Sequence, residues 1–193
     1  AVVRSRATFT FLHDRMRTKF TDNGFSARQM ETIPNPVEPW SRTRTLAEQN
    51  REFLFVGRLG TDKGADLAVE ACARAGVPMT MIGSGELEAQ LRQAGGVDVR
   101  FAGWCSRPEI LDHARRARAL IIPSRVVEPF GLVILEAAMS GLPVIVSDRA
   151  YLAGDTERLG FGRAFDPAIA GSLTEQVASI ATKADDGRFV DAA

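Results

Sequence analysis

From Phe53 onward the chain alternates short apolar runs with longer helical patterns, and this alternation narrows the fold more than any other feature. The runs are 53–57 (FLFVG), 79–83 (MTMIG), 99–103 (VRFAG), 119–123 (ALIIP) and 143–147 (PVIVS). Runs apolar at nearly every position suit strands covered on both faces of a parallel sheet. Between them the spacing predicts helices over 64–75, 85–94, 107–117 and 131–140, and a further helix over 171–184 closes the pattern. Gly141, with Pro143 just beyond, stops the fourth helix. Strand and helix in strict repetition point to an α/β, doubly wound, Rossmann-like parallel sheet.

The first fifty residues differ. Residues 8–12 (TFTFL) read as a strand and 13–22 as a helix, followed by Gly24. Residues 33–37 (IPNPV) form a proline-rich hinge, and 41–51 are polar and linker-like. One strand and one helix are too little for a domain. Residues 1–40 are therefore read as the tail of an upstream domain plus its hinge, and 41–193 as one α/β domain.

Charge excludes one broad class. The 24 basic residues balance 24 acidic ones, so a general nucleic-acid binder, which needs a basic excess, is not expected. No run approaches the ~20 apolar residues of a membrane span. Cys72 and Cys105 form no CxxC pair and read as free thiols of a reducing compartment.

Three loops at strand ends carry the chemistry, since open α/β sheets bind ligands beyond the carboxyl ends of their strands. In 57–64 (GRLGTDKG), Arg58 can fork two hydrogen bonds and Lys63 acts as a mobile point charge; together they suit a diphosphate. A solvated polar turn is the other reading of this loop. In 82–87 (IGSGEL), Gly83 lets backbone approach a ligand, but no third glycine completes a dinucleotide fingerprint. The strongest stretch is 123–141 (PSRVVEPFGLVILEAAMSG). Backbone N–H groups near Phe130, Gly131 and Leu132 open a helix and favour an anion. Glu136 interrupts the apolar LVILEAAM, so its charge needs a partner. Helical side chains lean toward the N-terminus, so Glu136 can reach back to a ligand such as ribose, or lie on a solvent-facing stripe. Glu128 and Glu136 do not suit a hydrolase pair, because eight helical residues span ~12 Å. Trp104 flanks a nucleobase or packs. His13 and His113 lack metal-ligand spacing, and no acidic cluster points to a metal. The basic run 113–118 (HARRAR) is a solvated face or touches a membrane surface.

Taken together, VGRLGTDKG, IGSGEL, VRFAGW, ALIIPSRVVEPFGLVILEAAMSGLPVIVSD and IPNPV resemble the family-4 retaining glycosyltransferases of the GT-B fold, over roughly residues 6–182. The resemblance implies the C-terminal, nucleotide-sugar-binding half of that fold. It implies a Glu-x7-Glu motif at Glu128 and Glu136, with Glu128 on the donor sugar and Glu136 on the ribose. Arg58 and Lys63 would hold the donor diphosphate in place of a metal. Backbone from Phe130 to Leu132 would meet sugar and phosphate, and backbone near Gly103 and Trp104 the base, with Gly57 and Gly83 also among the donor-binding residues. Glu157 resembles a further family position through a loose match (AGDTERLG). The acceptor domain of the family has no counterpart here, so the acceptor, whether glycan, lipid or small molecule, would be bound by an N-terminal domain. The expected reaction is transfer of a sugar with retention, in the cytoplasm or at the inner face of its membrane, with no activity from this chain alone. A GT-B-shaped nucleotide-sugar epimerase and a non-catalytic nucleotide-binding module are the alternatives.

Overall fold

The computed structural model describes residues 7–94 and 98–182. It opens with β1 (Phe9–Phe11), α1 (Asp14–Asp22) and β2 (Met30–Thr32), the two strands pairing in parallel apart from the rest of the sheet structure. Phe9, Phe11, Phe20 and Phe25 meet ring to ring across this unit at 4.8–5.8 Å. The sequence pattern misses β2, because three residues of mixed polarity (MET) carry no period.

The main sheet contains β3 (Glu52–Val56), β4 (Met79–Ile82), β5 (Val99–Gly103), β6 (Ala117–Ile122), β7 (Val144–Ser147) and β8 (Gly162–Phe165). All neighbours pair in parallel, in the spatial order β5-β4-β3-β6-β7-β8. Counted within the sheet this is third, second, first, fourth, fifth, sixth, the doubly wound order, and the winding reverses between β3 and β6. The helices are α2 (Ala65–Ala75), α3 (Glu88–Gln93), α4 (Arg107–Ala114), α5 (Leu132–Ala138), α6 (Ala153–Arg158) and α7 (Ser172–Thr182). Residues 183 and 184 of the last expected helix lie outside the described residues.

Alternation along each strand splits the core in two. Phe53, Phe55, Met79, Met81, Ile121 and Ile145 face α2, α3 and α7. Leu54, Ile82, Leu120, Ile122, Val144 and Val146 face α4, α5 and α6. Both faces of the sheet are therefore covered, as the unbroken apolar runs require. In α2, Ala65, Ala68, Val69 and Cys72 are buried at three- and four-residue spacing, and Gly76 ends the helix in the left-handed region.

Three expectations change. First, α4 ends at Ala114, three residues short of the expected 117, because Ala117 pairs with Glu52 of β3 and the amide of Asn50 donates to the carbonyls of Arg115 and Ala117. The basic run is consequently split. Arg115 and Arg116 are exposed, whereas Arg118 belongs to β6 and is buried, donating to the carbonyls of Ile180 and Ala47. Second, the stretch 41–51 is not a free linker. Trp40 and Ala47 are buried against the α4–α6 side of the sheet, and the Thr45 N–H donates to the Ser140 carbonyl at the end of α5. Third, α6 and β8 add a strand that short polar-rich segments did not announce. No helix among the described residues is long and apolar enough to cross a membrane.

Candidate functional site

A cleft of about 440 Å³ opens at the carboxyl ends of β3 and β6, where the strand order reverses. That size suits a small-molecule ligand. Phe55, Val56 and Gly57 line it from β3, and Ile121, Ile122, Pro123 and Ser124 from β6. Lys63 and the segment from Glu128 to Val133 complete the wall, with Leu12 and Asn35 contributed from the N-terminal unit and the hinge.

Backbone packing of the loops builds this place. Gly64 has φ +69°, and a Cβ on it would stand 2.0 Å from the Pro123 carbonyl oxygen. The loop after β3 can therefore lie against the end of β6 only because residue 64 has no side chain. Beside it, Gly83 stands where a Cβ would meet the Gly57 carbonyl at 2.0 Å, and Leu59 donates its N–H to the Ser84 carbonyl at 3.0 Å. The smallness read at Gly83 as room for a ligand serves the contact between two loops. Arg125, on the loop after β6, fastens that loop to the one after β3. Its N–H donates to the Asp62 carbonyl, and its guanidinium meets both Asp66 oxygens, at 2.6 and 2.7 Å. The Arg125 hydrogen bond, outweighing the effect of burial, holds the Asp66 carboxyl below the usual carboxylate range. Sequence reasoning passed over Arg125; its position inside the stretch 123–141, three residues before Glu128, was the available signal.

Inside the cleft, Lys63 and Glu128 face each other, Nζ to Oε2 at 2.5 Å, and the Ser124 hydroxyl donates to the same oxygen at 3.4 Å. Glu128 precedes α5 rather than lying on it. Its backbone is pinned on both sides, its N–H donating to the Arg149 carbonyl and its carbonyl accepting from Tyr151. Phe130, Gly131 and Leu132 form the entry to α5, with Gly131 at φ +66°. An α-helix leaves its first N–H groups without intrahelical partners.

The remaining sequence candidates stand outside this wall. Arg58 lies at the rim, Nη2 2.6 Å from Asp62 Oδ2 and Nη1 3.4 Å from Glu86 Oε2. Gly103 ends β5, and Trp104 beyond it is 81% exposed, so the packing alternative for Trp104 falls. Glu136 is neither solvent-facing nor in the cleft wall. Its side chain is 17% exposed and pairs with Arg107 at 2.6 Å. Glu157 accepts from the Ala164 N–H, which ties α6 to β8. His13 accepts from the Arg15 N–H through Nδ1 and meets Asp155 through Nε2 at 3.2 Å, joining α1 to α6. With Nδ1 accepting, Nε2 carries the proton toward Asp155. Burial pulls the His113 pKa down. Among the described residues no group of three or more His, Cys, Asp or Glu side chains is placed to hold a metal ion.

The family model of the glycosyl transferases group 1 matches residues 37–188. Among curated proteins, a glycogen synthase of Mycobacterium tuberculosis is 39% identical over 107 residues, which is 50% of this chain and 26% of that protein. Among solved structures, WaaG, a glycosyltransferase involved in lipopolysaccharide biosynthesis, superposes with a TM-score of 0.80 at 19% identity, over 98% of this chain and 57% of that one. Anabaena HepE in complex with UDP and glucose gives 0.75 at 21% identity, over 98% and 57%. The chain thus spans little more than half of these structures and about a quarter of the glycogen synthase. Its sheet is the C-terminal Rossmann-like half of a GT-B fold. By its sequence match and its fold, the chain belongs to the glycosyl transferases group 1 family.

Proposed function

We propose that the cleft between β3 and β6 binds a nucleoside-diphosphate sugar and that the chain supplies the donor half of a retaining glycosyl transfer. The observation that carries this reading is the meeting of Lys63, Glu128 and the start of α5 in one cleft at the point where the winding reverses. Membership of the family supports it, and so does the shared fold of HepE, a protein whose structure holds UDP and glucose. Lys63 and the N–H groups at Phe130, Gly131 and Leu132 offer positive charge to the diphosphate, and Arg58 swings in from the rim. Fixed cations and peptide dipoles stabilise the charge that develops on a leaving diphosphate, which is the main lever such a site has. Glu128 is held by Lys63 until a sugar hydroxyl donates to it. Glu136 accepts from the ribose, and the strand-end residues Gly103 and Trp104 flank the base. The acceptor comes from a second domain across the cleft, so this chain alone binds donor without turning it over.

Calorimetric titration of the 193-residue chain with UDP, GDP and ADP tests the reading. One of them should bind. A charge-assisted contact is worth roughly 1.5–3 kcal/mol, so Lys63→Ala should weaken that binding about tenfold to a hundredfold. Arg58→Ala should weaken it as well, and EDTA should leave it intact. Equal affinity in both variants and wild type would remove the phosphate grip. Robust sugar transfer by the chain alone would overturn the division of labour.

A further inference from the structure

One guanidinium joins three separate pieces of chain near the proposed site. Arg107, the first residue of α4, directs Nη1 to Glu136 Oε1 at 2.6 Å. Its Nη2 donates to the carbonyls of Glu38 and Pro39, at 2.6 and 2.9 Å. The same turn of α5 is tied to the same segment by a second route. The Ser140 hydroxyl donates to the Glu136 carbonyl at 2.7 Å and accepts from the Ser41 N–H at 3.1 Å. Between these attachments Trp40 is buried, 6% exposed. The segment 38–41 therefore grips Glu136 by side chain and by backbone, and it is the stretch through which the chain passes from β2 to the main sheet.

We propose that Arg107 is a positioning residue for the nucleotide: it fixes the Glu136 carboxylate and makes its orientation depend on the segment 38–41. The inference rests on the reading of Glu136 as the ribose acceptor. A carboxylate this shielded needs a defined partner, and Arg107 supplies it. With Oε1 on the guanidinium, Oε2 and the remaining lone pairs stay open to hydroxyl donors. The fork is essential. Two nitrogens of one planar group meet the carboxylate and the two carbonyls at once, which a lysine ammonium on its flexible stem does not reproduce. Any shift of the connecting segment then reaches the ribose contact through Arg107, although Arg107 itself touches no donor atom.

The test is a double-mutant cycle on the 193-residue chain, with the tightest of UDP, GDP and ADP as the probe. Arg107→Ala should weaken binding about tenfold, the size of one charge-assisted contact. Arg107→Lys should restore little of it. Combined with Glu136→Gln, Arg107→Ala should add almost nothing, because both changes disable one device. Acrylamide quenching gives a second readout without ligand. It silences exposed Trp104 first, and the residual emission, from Trp40, should become quenchable in Arg107→Ala and Arg107→Lys if the segment is released. Unchanged affinity in Arg107→Ala beside weakened affinity in Glu136→Gln would overturn the proposal while leaving the ribose reading intact. Additive penalties, full rescue by lysine, or protected Trp40 in both variants would also overturn it. No penalty from Glu136→Gln, or no binding of any of the three nucleotides, would remove the ribose reading and the proposal with it.

Discussion

Gly64 and Gly76 flank α2 with nearly the same backbone, φ +69° and φ +65°, yet only one of them touches anything. A Cβ at Gly76 meets nothing within 4 Å, whereas a Cβ at Gly64 would lie 2.0 Å from the Pro123 carbonyl oxygen and must move to at least 3.0 Å. Substituting alanine at each site separates two costs that usually arrive together. Both variants force an L-residue into the left-handed region, about 1–2 kcal/mol. Both also lose some unfolded-state freedom, which offsets the same fraction of that cost in each. Gly64→Ala alone adds overpacking against a backbone carbonyl, about 1–3 kcal/mol. Before that offset, which cancels between the two variants, the costs sum to about 1–2 kcal/mol for Gly76→Ala and about 2–5 kcal/mol for Gly64→Ala. A domain of this size loses about 2–4 °C of melting temperature per kcal/mol, so the shifts should be at most about 8 °C and about 20 °C, with Gly64→Ala lower by about 2–12 °C. Thermal unfolding followed by circular dichroism reads both. The displaced carbonyl belongs to Pro123 in the cleft wall, so Gly64→Ala should also lose nucleotide affinity, while Gly76→Ala at the far end of α2 should keep it. Two variants melting within about 2 °C of each other would refute the close approach of the two loops.

Two further outcomes follow from the titrating groups. The Asp66 carboxyl is held below the usual range chiefly by its Arg125 hydrogen bond. A lowered folded-state pKa contributes stability above the unfolded value, ~3.9, and loses it as pH falls through the folded value. Urea midpoints from pH 7 down to pH 3 should therefore decline less steeply in Asp66→Asn than in wild type, and parallel declines would count against the pair. Burial pushes the Cys72 thiol up to about 12, and burial followed by the Glu109 charge raises Cys105. Ellman's reagent at pH 8 should reach Cys105 slowly and Cys72 only after unfolding; fast labelling in a Cys105→Ser variant would show the α2 side of the core to be open.

What the sequence made legible was whatever a buried parallel strand writes into it. The runs FLFVG, MTMIG, ALIIP and PVIVS are apolar at nearly every position because both faces of β3, β4, β6 and β7 are covered, and each falls on its strand within a residue or two. Strand β8 escaped because GRAF, at the sheet's edge, buries only its first and last residues and follows a polar six-residue helix. Likewise the stretch 41–51 looks like a linker by composition. It is fixed to the domain by Trp40, Ala47 and hydrogen bonds to Ser140, contacts that no local pattern encodes.

The site divides along the same physical line. Lys63, Glu128 and the 130–132 turn are close to strand ends in sequence, so the rule that places ligands beyond the carboxyl ends of strands points to them, and all of them line the cleft. Glu136 was singled out on different grounds, that a charge inside an apolar helix must be partnered, and it is partnered by Arg107. Burial dictates that the carboxylate has a partner but not which residue supplies it. Arg107 lies 29 residues away, on a helix that starts beyond a different strand, and nothing in RPEILDHA distinguishes it from a solvated arginine. The general consequence concerns long-range polar contacts in a doubly wound domain. Every loop at the carboxyl end of the sheet converges on one rim, so residues remote in sequence become neighbours there by topology alone. Arg125 with Asp66, Arg107 with Glu136 and Lys63 with Glu128 all arise in this way, with separations of 59, 29 and 65 residues. A single sequence reveals that such a rim holds several charges; their pairing depends on the strand order, which decides which loops stand side by side.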